Sequence, residues 1–154
     1  MDHSKIFRTD LLAGKTVIVT GGGSGIGKVI AQECAALGAR VAIGARKLDR
    51  LEETADALRA QGADVFAAEL DIRDPDAVGS WVEAVAEHWD GQIDVLVNNA
   101  GGQFPSPAIG IRPKGWRAVV DTNLNGTWFM TQAVGEKMLK AGSGRVINIV
   151  ANMW

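Results

Sequence analysis

Between Thr20 and Gly27 the chain reads Thr-Gly-Gly-Gly-Ser-Gly-Ile-Gly, a run of small residues suited to holding an anion on backbone N–H groups. Such a turn does this where a strand enters it and a helix leaves it. The free amides of the first helical turn and the positive end of the helix dipole then face one point. Gly21 permits the tight turn, Gly25 lets a phosphate approach the backbone, and Gly27 lets helix pack closely on strand, with Gly23, Ser24 and Ile26 completing the loop. Any sharp turn can collect glycine. The register of strand, glycines and helix is what points to a pyrophosphate cradle.

The second apolar run ends Ile43-Gly44-Ala45-Arg46-Lys47, with no carboxylate before Asp49. An acidic residue there would bind the ribose 2′-hydroxyl of NAD, whereas a guanidinium fork with an ammonium beside it suits the 2′-phosphate of NADP. A solvated basic pair opening a helix is the plainer alternative. Asp71, with Ile72 beside it, follows the third run, where it can reach the edge of an adenine ring or serve as a turn or cap. Asn98-Asn99-Ala100-Gly101 follows the fourth run, at the carboxyl ends where an open parallel sheet binds ligands. Asparagines there can also bridge backbone groups of neighbouring turns. Asn123 lies on the stripe Trp116, Val119/Val120, Asn123, Thr127, Met130, Val134, which predicts a buried amide in need of partners. Gly126 nearby predicts room for a water or a kink.

The elements that must position these residues alternate between strand and helix. Strands are predicted over Lys15–Thr20, Arg40–Ala45, Val65–Leu70, Ile93–Val97 and Arg145–Val150. Helices are predicted over Ile26–Leu37 (ended by Gly38), from Leu48 through Leu51, Ala55 and Leu58 to a stop at Gly62, and from an Asp74-Pro75 start with Val78, Trp81, Val82, Val85 and Trp89 inward. A Pro/Gly-rich loop spans Gly101–Pro113, and one long helix Trp116–Leu139. Near-continuous apolar strands alternating with helices imply a doubly wound α/β fold of Rossmann type. Right-handed crossovers give it a parallel sheet of order 3-2-1-4-5.

The 154 residues suggest a single domain over 1–154, and 47% apolar with 22% charged residues can fill and cover one core. A net charge of −2 with dispersed cations argues against nucleic acid and anionic membrane as partners. No apolar run is long enough to span a bilayer, and the first residues lack a signal-like apolar stretch, so a cytoplasmic protein is expected. One cysteine, Cys34, and two histidines make a disulfide or a metal site unexpected. Tyrosine is absent.

Thr20–Gly27, Asp71, Asn98–Gly101 and the helix-borne Asn123, in order and spacing, resemble the short-chain dehydrogenase/reductase family over essentially the whole chain. Asn98–Ala108, Lys114–Val134 and Gly144–Val150 resemble its peroxisomal trans-2-enoyl-CoA reductase branch, with 2,4-dienoyl-CoA reductases a looser match. The opening through Gly27 is similar to bacterial relatives acting on terpenoid alcohols such as citronellol.

The resemblance implies NADP(H)-dependent hydride transfer, a nicotinamide near Asn99, Ala100 and Gly101, and a water held by Asn123 in a proton relay. The serine usual after the fifth strand falls at Ala151, which fits the enoyl-CoA reductase branch, and the family's Tyr-x-x-x-Lys pair has no counterpart. The expected substrate is an enoyl-CoA, with Arg112 and Lys114 as candidates to meet CoA phosphates or as plain solvated residues. An alcohol or carbonyl dehydrogenase is the alternative, and a truncated, poorly stable nucleotide-binding fragment a further one. A homo-oligomer is expected of the complete protein.

Overall fold

The computed structural model describes residues 6–103 and 105–150. Its five strands are β1 (Thr16–Thr20), β2 (Arg40–Ala45), β3 (Val65–Glu69), β4 (Val95–Asn98) and β5 (Arg145–Asn148). They form one parallel sheet of order β3-β2-β1-β4-β5, the order expected of alternating strands and helices. Between them run α1 (Gly25–Ala36), α2 (Leu48–Arg59), α3 (Pro75–His88), α4 (Pro113–Val120) and α5 (Gly126–Ala141), with a short 3-10 turn at Ala108–Gly110.

Successive side chains of a strand point to opposite faces, and both faces of the sheet's central strands are covered. Val17, Val19, Val41, Ile43 and Val97 pack with Ala31, Leu51, Ala55 and Leu58 of α1 and α2. Ile18, Ala42 and Leu96 pack on the other side with Val78, Trp81, Val82 and Val85 of α3 and Met130, Val134 and Met138 of α5. The central strands are therefore apolar in their middles, with polar residues at their ends, and β1 is buried at every position. Asp74 accepts from Asp76 N–H (3.0 Å) and Ala77 N–H (3.2 Å), the cap expected ahead of Pro75.

Two expectations are corrected. The long helix starts at Pro113, not Trp116, and is split by a π-helical turn over Asp121–Asn125. Its stripe does not face inward along its whole length. Met130 and Val134 are buried, but Trp116 is 61% exposed and Asn123 is exposed rather than buried. A π turn inserts one residue into the helical repeat, so the residues before it fall out of line with the face that Met130 and Val134 bury after it. β5 runs along β4 at the sheet's edge. Val146 and Ile147 on it, and Ile149 and Val150 beyond it, are all exposed.

At the amino ends of the strands, Asp94 binds β4 to β1. It accepts from Thr16 N–H (2.9 Å), Lys15 Nζ (2.9 Å) and Gln92 Nε2 (2.9 Å). Burial raises its proton affinity, but these three donors outweigh burial and hold the carboxyl below its ordinary range. A carboxylate whose folded pKa is depressed contributes stability that is complete above the unfolded aspartate value of about 3.9 and is lost as pH falls through the lower folded value. Asp94→Asn should cost about 1–3 kcal/mol near neutrality and narrow its deficit against the parent below pH 4. A deficit in urea midpoint that does not change with pH would refute this assignment.

Candidate functional site

The site forms where the chain crosses from one half of the sheet to the other. β1 ends at Thr20, and α1 begins at Gly25. Gly21 takes φ +72°, the left-handed region that glycine enters without steric cost, and its N–H donates to the Gly44 carbonyl of β2 (2.7 Å). Gly25 takes φ +54°, with open space where a Cβ would stand. Gly27 is packed hard. A Cβ there would overlap the Asn99 amide and lie 2.5 Å from the Gly21 carbonyl oxygen. Ser24 precedes α1 in extended conformation and makes no side-chain cap, so the first-turn N–H groups of α1 face the turn without a capping hydroxyl.

Thr20 joins this turn to the end of β4. Its hydroxyl accepts from the N–H groups of Asn99 (3.0 Å) and Ala100 (2.9 Å), and Asn99 Nδ2 donates back to the Thr20 carbonyl (2.9 Å). The bridging role open to these asparagines is therefore filled by Asn99. Asn98, buried, donates instead to Thr131 Oγ1 (3.0 Å) and Asn148 Oδ1 (2.9 Å), tying β4 to α5 and β5.

A cleft of about 310 Å³ opens above these strand ends. Of the residues singled out from sequence, Gly21, Gly23, Ser24, Arg46, Lys47, Asp71, Ile72, Asn99, Ala100 and Gly101 line it. Gly27 lies beneath it as packing. Gly25 and Ile26 stand at the start of α1 outside the lining, and the Ile26 side chain is 64% exposed. Four residues come from the structure alone. Arg50, Arg73 and Thr122 line the cleft, and Thr20 clasps its floor. Arg50 lies on the first turn of α2, four residues past Arg46, and its closeness to the end of the second run is the signal that could have found it. Arg73, two residues past Asp71, carries no such signal.

Arg46, Lys47, Arg50 and Arg73 make the β2–β3 end of the cleft cationic, and Asp71 is the carboxylate among its lining residues. Arg73 Nε donates to both Asp71 oxygens (2.8 and 3.1 Å), its Nη2 to Oδ2, and its backbone N–H to Oδ1 (3.1 Å). The Arg73 hydrogen bonds hold the Asp71 carboxyl below its ordinary range, and the charge of Arg46 acts in the same direction. Asp71 thus fills the turn role and still faces the cleft.

Asn123 does not line the cleft, but it fixes one rim of it. From the π turn, its Nδ2 donates to the carbonyls of Gly102 (2.7 Å) and Val119 (2.8 Å), and its Oδ1 accepts from Gly102 N–H (3.2 Å). A Cβ on Gly101 would lie 2.8 Å from that oxygen. Gly126, just past the turn, has no room for a side chain, since a Cβ there would lie 2.7 Å from Ile72 Cδ1. The room expected at this glycine is taken by Ile72. Arg112 and Lys114 are exposed at the start of α4. Phe104 of the Gly101–Pro113 loop, and Ala151 at the expected serine position, lie outside the described residues.

The family described as short chain dehydrogenase matches residues 15–153. A curated relative named as a probable 2,4-dienoyl-CoA reductase 3 of Caenorhabditis elegans is 35% identical over 149 residues, covering 96% of this chain and 48% of its own. The solved structure of a citronellol catabolism dehydrogenase from Pseudomonas aeruginosa PAO1 matches with a TM-score of 0.90 at 42% identity, over 97% of this chain and 61% of that one. A metagenomic short-chain oxidoreductase in complex with NADP matches with a TM-score of 0.87 at 34% identity, over 92% and 64%. Other curated relatives are named for sugar-acid, polyol and ketoacyl substrates. The chain spans about half the length of the curated relatives it matches.

Thr20→Val keeps the shape of the β1 end but leaves the Asn99 and Ala100 N–H groups without their acceptor. It should cost about 1–3 kcal/mol of stability and weaken dinucleotide binding, while Thr20→Ser restores both. Denaturant melts and a binding titration of the three proteins check this, and a valine variant with unchanged affinity would remove the clasp from the site.

Proposed function

The chain belongs to the short-chain dehydrogenase family of oxidoreductases, and on that premise we propose that its cleft binds NADP(H) and forms the nucleotide side of a hydride-transfer site. The observation that carries this is the charge at the end of β2, where Arg46, Lys47 and Arg50 line the cleft and no carboxylate precedes Asp49. In this reading Gly21, Gly23, Ser24, Gly25, Ile26 and Gly27 hold the pyrophosphate through the turn and the start of α1. Arg46 and Lys47 meet the 2′-phosphate, Asp71 and Ile72 flank the adenine, and Asn99, Ala100 and Gly101 lead toward the nicotinamide. The spaces where Cβ atoms on Gly21 and Gly27 would collide support a cradle shaped by backbone. A bound nicotinamide supplies or accepts the hydride. Asn123 acts by holding the Gly102 backbone, with Oδ1 lone-pair capacity left for a water in a proton relay.

For the complete protein we propose reduction of an enoyl-CoA, supported by the likeness to a 2,4-dienoyl-CoA reductase and by Arg112 and Lys114, exposed where CoA phosphates could meet them. Such a reduction builds negative charge on the thioester oxygen, which hydrogen-bond donors must stabilise. An alcohol or carbonyl dehydrogenase is the second reading, favoured by the match to the citronellol enzyme. The complete protein is proposed to be a homo-oligomer, which would cover Leu124 and Trp128, 65% and 59% exposed on one helical segment.

Two measurements test these readings. NADPH should bind at least about tenfold tighter than NADH, and Arg46→Asp should abolish that margin, consistent with loss of a charge-assisted contact worth about 1.5–3 kcal/mol. Equal affinities in the parent protein would end the 2′-phosphate reading. With crotonyl-CoA and citronellol offered to the complete protein, turnover confined to the alcohol would end the enoyl-CoA reading.

A further inference from the structure

Asp71 presents an apparent contradiction within the proposed NADP(H) cleft. A 2′-phosphate carries about −1.5 to −2 charges near neutral pH, and a carboxylate facing the same space repels it. The sequence nevertheless places an aspartate among the cleft's lining residues, together with Arg46, Lys47 and Arg50. The structure resolves this through a residue two positions later. Arg73 turns its Nε–Nη2 edge onto both oxygens of Asp71, and its backbone N–H closes the same turn. A fork-on-carboxylate pair of this kind is both directional and nearly neutral as a unit.

We propose that Arg73 is a positioning residue that determines cofactor preference indirectly, by neutralising and orienting the Asp71 carboxylate so that this acid can face the dinucleotide without repelling the 2′-phosphate. The inference rests on the cleft taking NADP(H). Arg46 and its neighbours supply attraction in that reading, and Arg73 removes a repulsion. The distinction matters because both oxygens of Asp71, with three Arg73 donors on them, are committed to this pair. The guanidinium is thereby directed toward the carboxylate and away from a role as another phosphate ligand. Without Arg73, the bare charge would oppose the phosphorylated dinucleotide much more than the unphosphorylated one, since only the former adds charge at that end of the cleft.

The experiment is a set of titrations with NADPH and NADH on the parent, Arg73→Ala, Arg73→Gln, Asp71→Asn and Arg73→Ala/Asp71→Asn proteins, each checked by thermal melting. The ratio of the two affinities is the readout, because a general loss of order or of adenine contact affects both ligands alike and cancels. Arg73→Ala and Arg73→Gln should each lower the NADPH-to-NADH preference by at least about fivefold, and adding Asp71→Asn should restore it. If the double variant stays low, Arg73 touches the phosphate itself and the proposal is overturned. If the parent prefers NADPH and neither Arg73 variant changes the ratio, the proposal fails while the cofactor reading stands. If the parent shows no preference, both fail together.

Discussion

The contact on which the rest depends is the one between the β1–α1 turn and the end of β4. Thr20 accepts two backbone N–H groups from the β4 side, Asn99 returns one donor to Thr20, and the Asn99 amide occupies the space a side chain at Gly27 would need. β1 and β4 are neighbours in the sheet but are separated in sequence by three crossover connections. The chain reverses its direction of travel across the sheet at this place, so the helices that follow β1 and β4 lie on opposite faces and leave a crevice between them. Fold and site are therefore built from the same atoms. The glycines that let α1 approach β4 also leave the backbone amides uncovered at the crevice floor.

The electrostatics are organised along the strand direction, which a net charge of −2 conceals. At the amino ends, Asp94 is surrounded by Lys15, Gln92 and the Thr16 N–H, a set of contacts that closes on itself. At the carboxyl ends, Arg46, Lys47 and Arg50 line open space. Exposed cations cost little to leave without protein partners because water solvates them. Grouped on one wall of a cleft, they produce a local field that attracts anions. Overall composition carries no information about a few cations gathered where β2 and β3 end.

What could be read from sequence follows from how locally each feature is determined. The glycine turn and the Asp74-Pro75 helix start are encoded within a few residues, the strand order follows from strands alternating with helices along the chain, and the structure reproduces all three. Asn123 shows the opposite. A 3.6-residue period assigns it to a buried stripe, but the π turn at Asp121–Asn125 shifts the register, and the amide ends up exposed and bound to Gly102. No composition rule marks that shift, and the close approach of Gly126 to Ile72 just past it is equally invisible in the sequence. Arg73 was invisible for a related reason. In sequence it is one more surface arginine, and only the turn after β3 brings it back onto Asp71. Thr20 reads as the last β-branched residue of a strand, and its clasp exists only once β4 lies alongside.

The two sides of the site differ in how firmly they are built. The nucleotide side stands on strand ends buried on both faces, where a change in one glycine or threonine disturbs sheet packing. The other side consists of the 101–113 loop and α4, where Ile109 and Trp116 are exposed and no residue of α4 is buried. Substitutions there encounter little of the core, so that side can change its chemistry without penalty to the fold. Relatives named for dienoyl-CoA, citronellol, polyol and sugar-acid substrates accordingly share this chain's framework at 35–42% identity. Likeness across the whole chain thus reports mainly on the rigid nucleotide half. Within the described residues α4 is the weakly packed part beside the cleft, so under the proposed reading its exposed positions are the ones that can vary with substrate at least cost to the core.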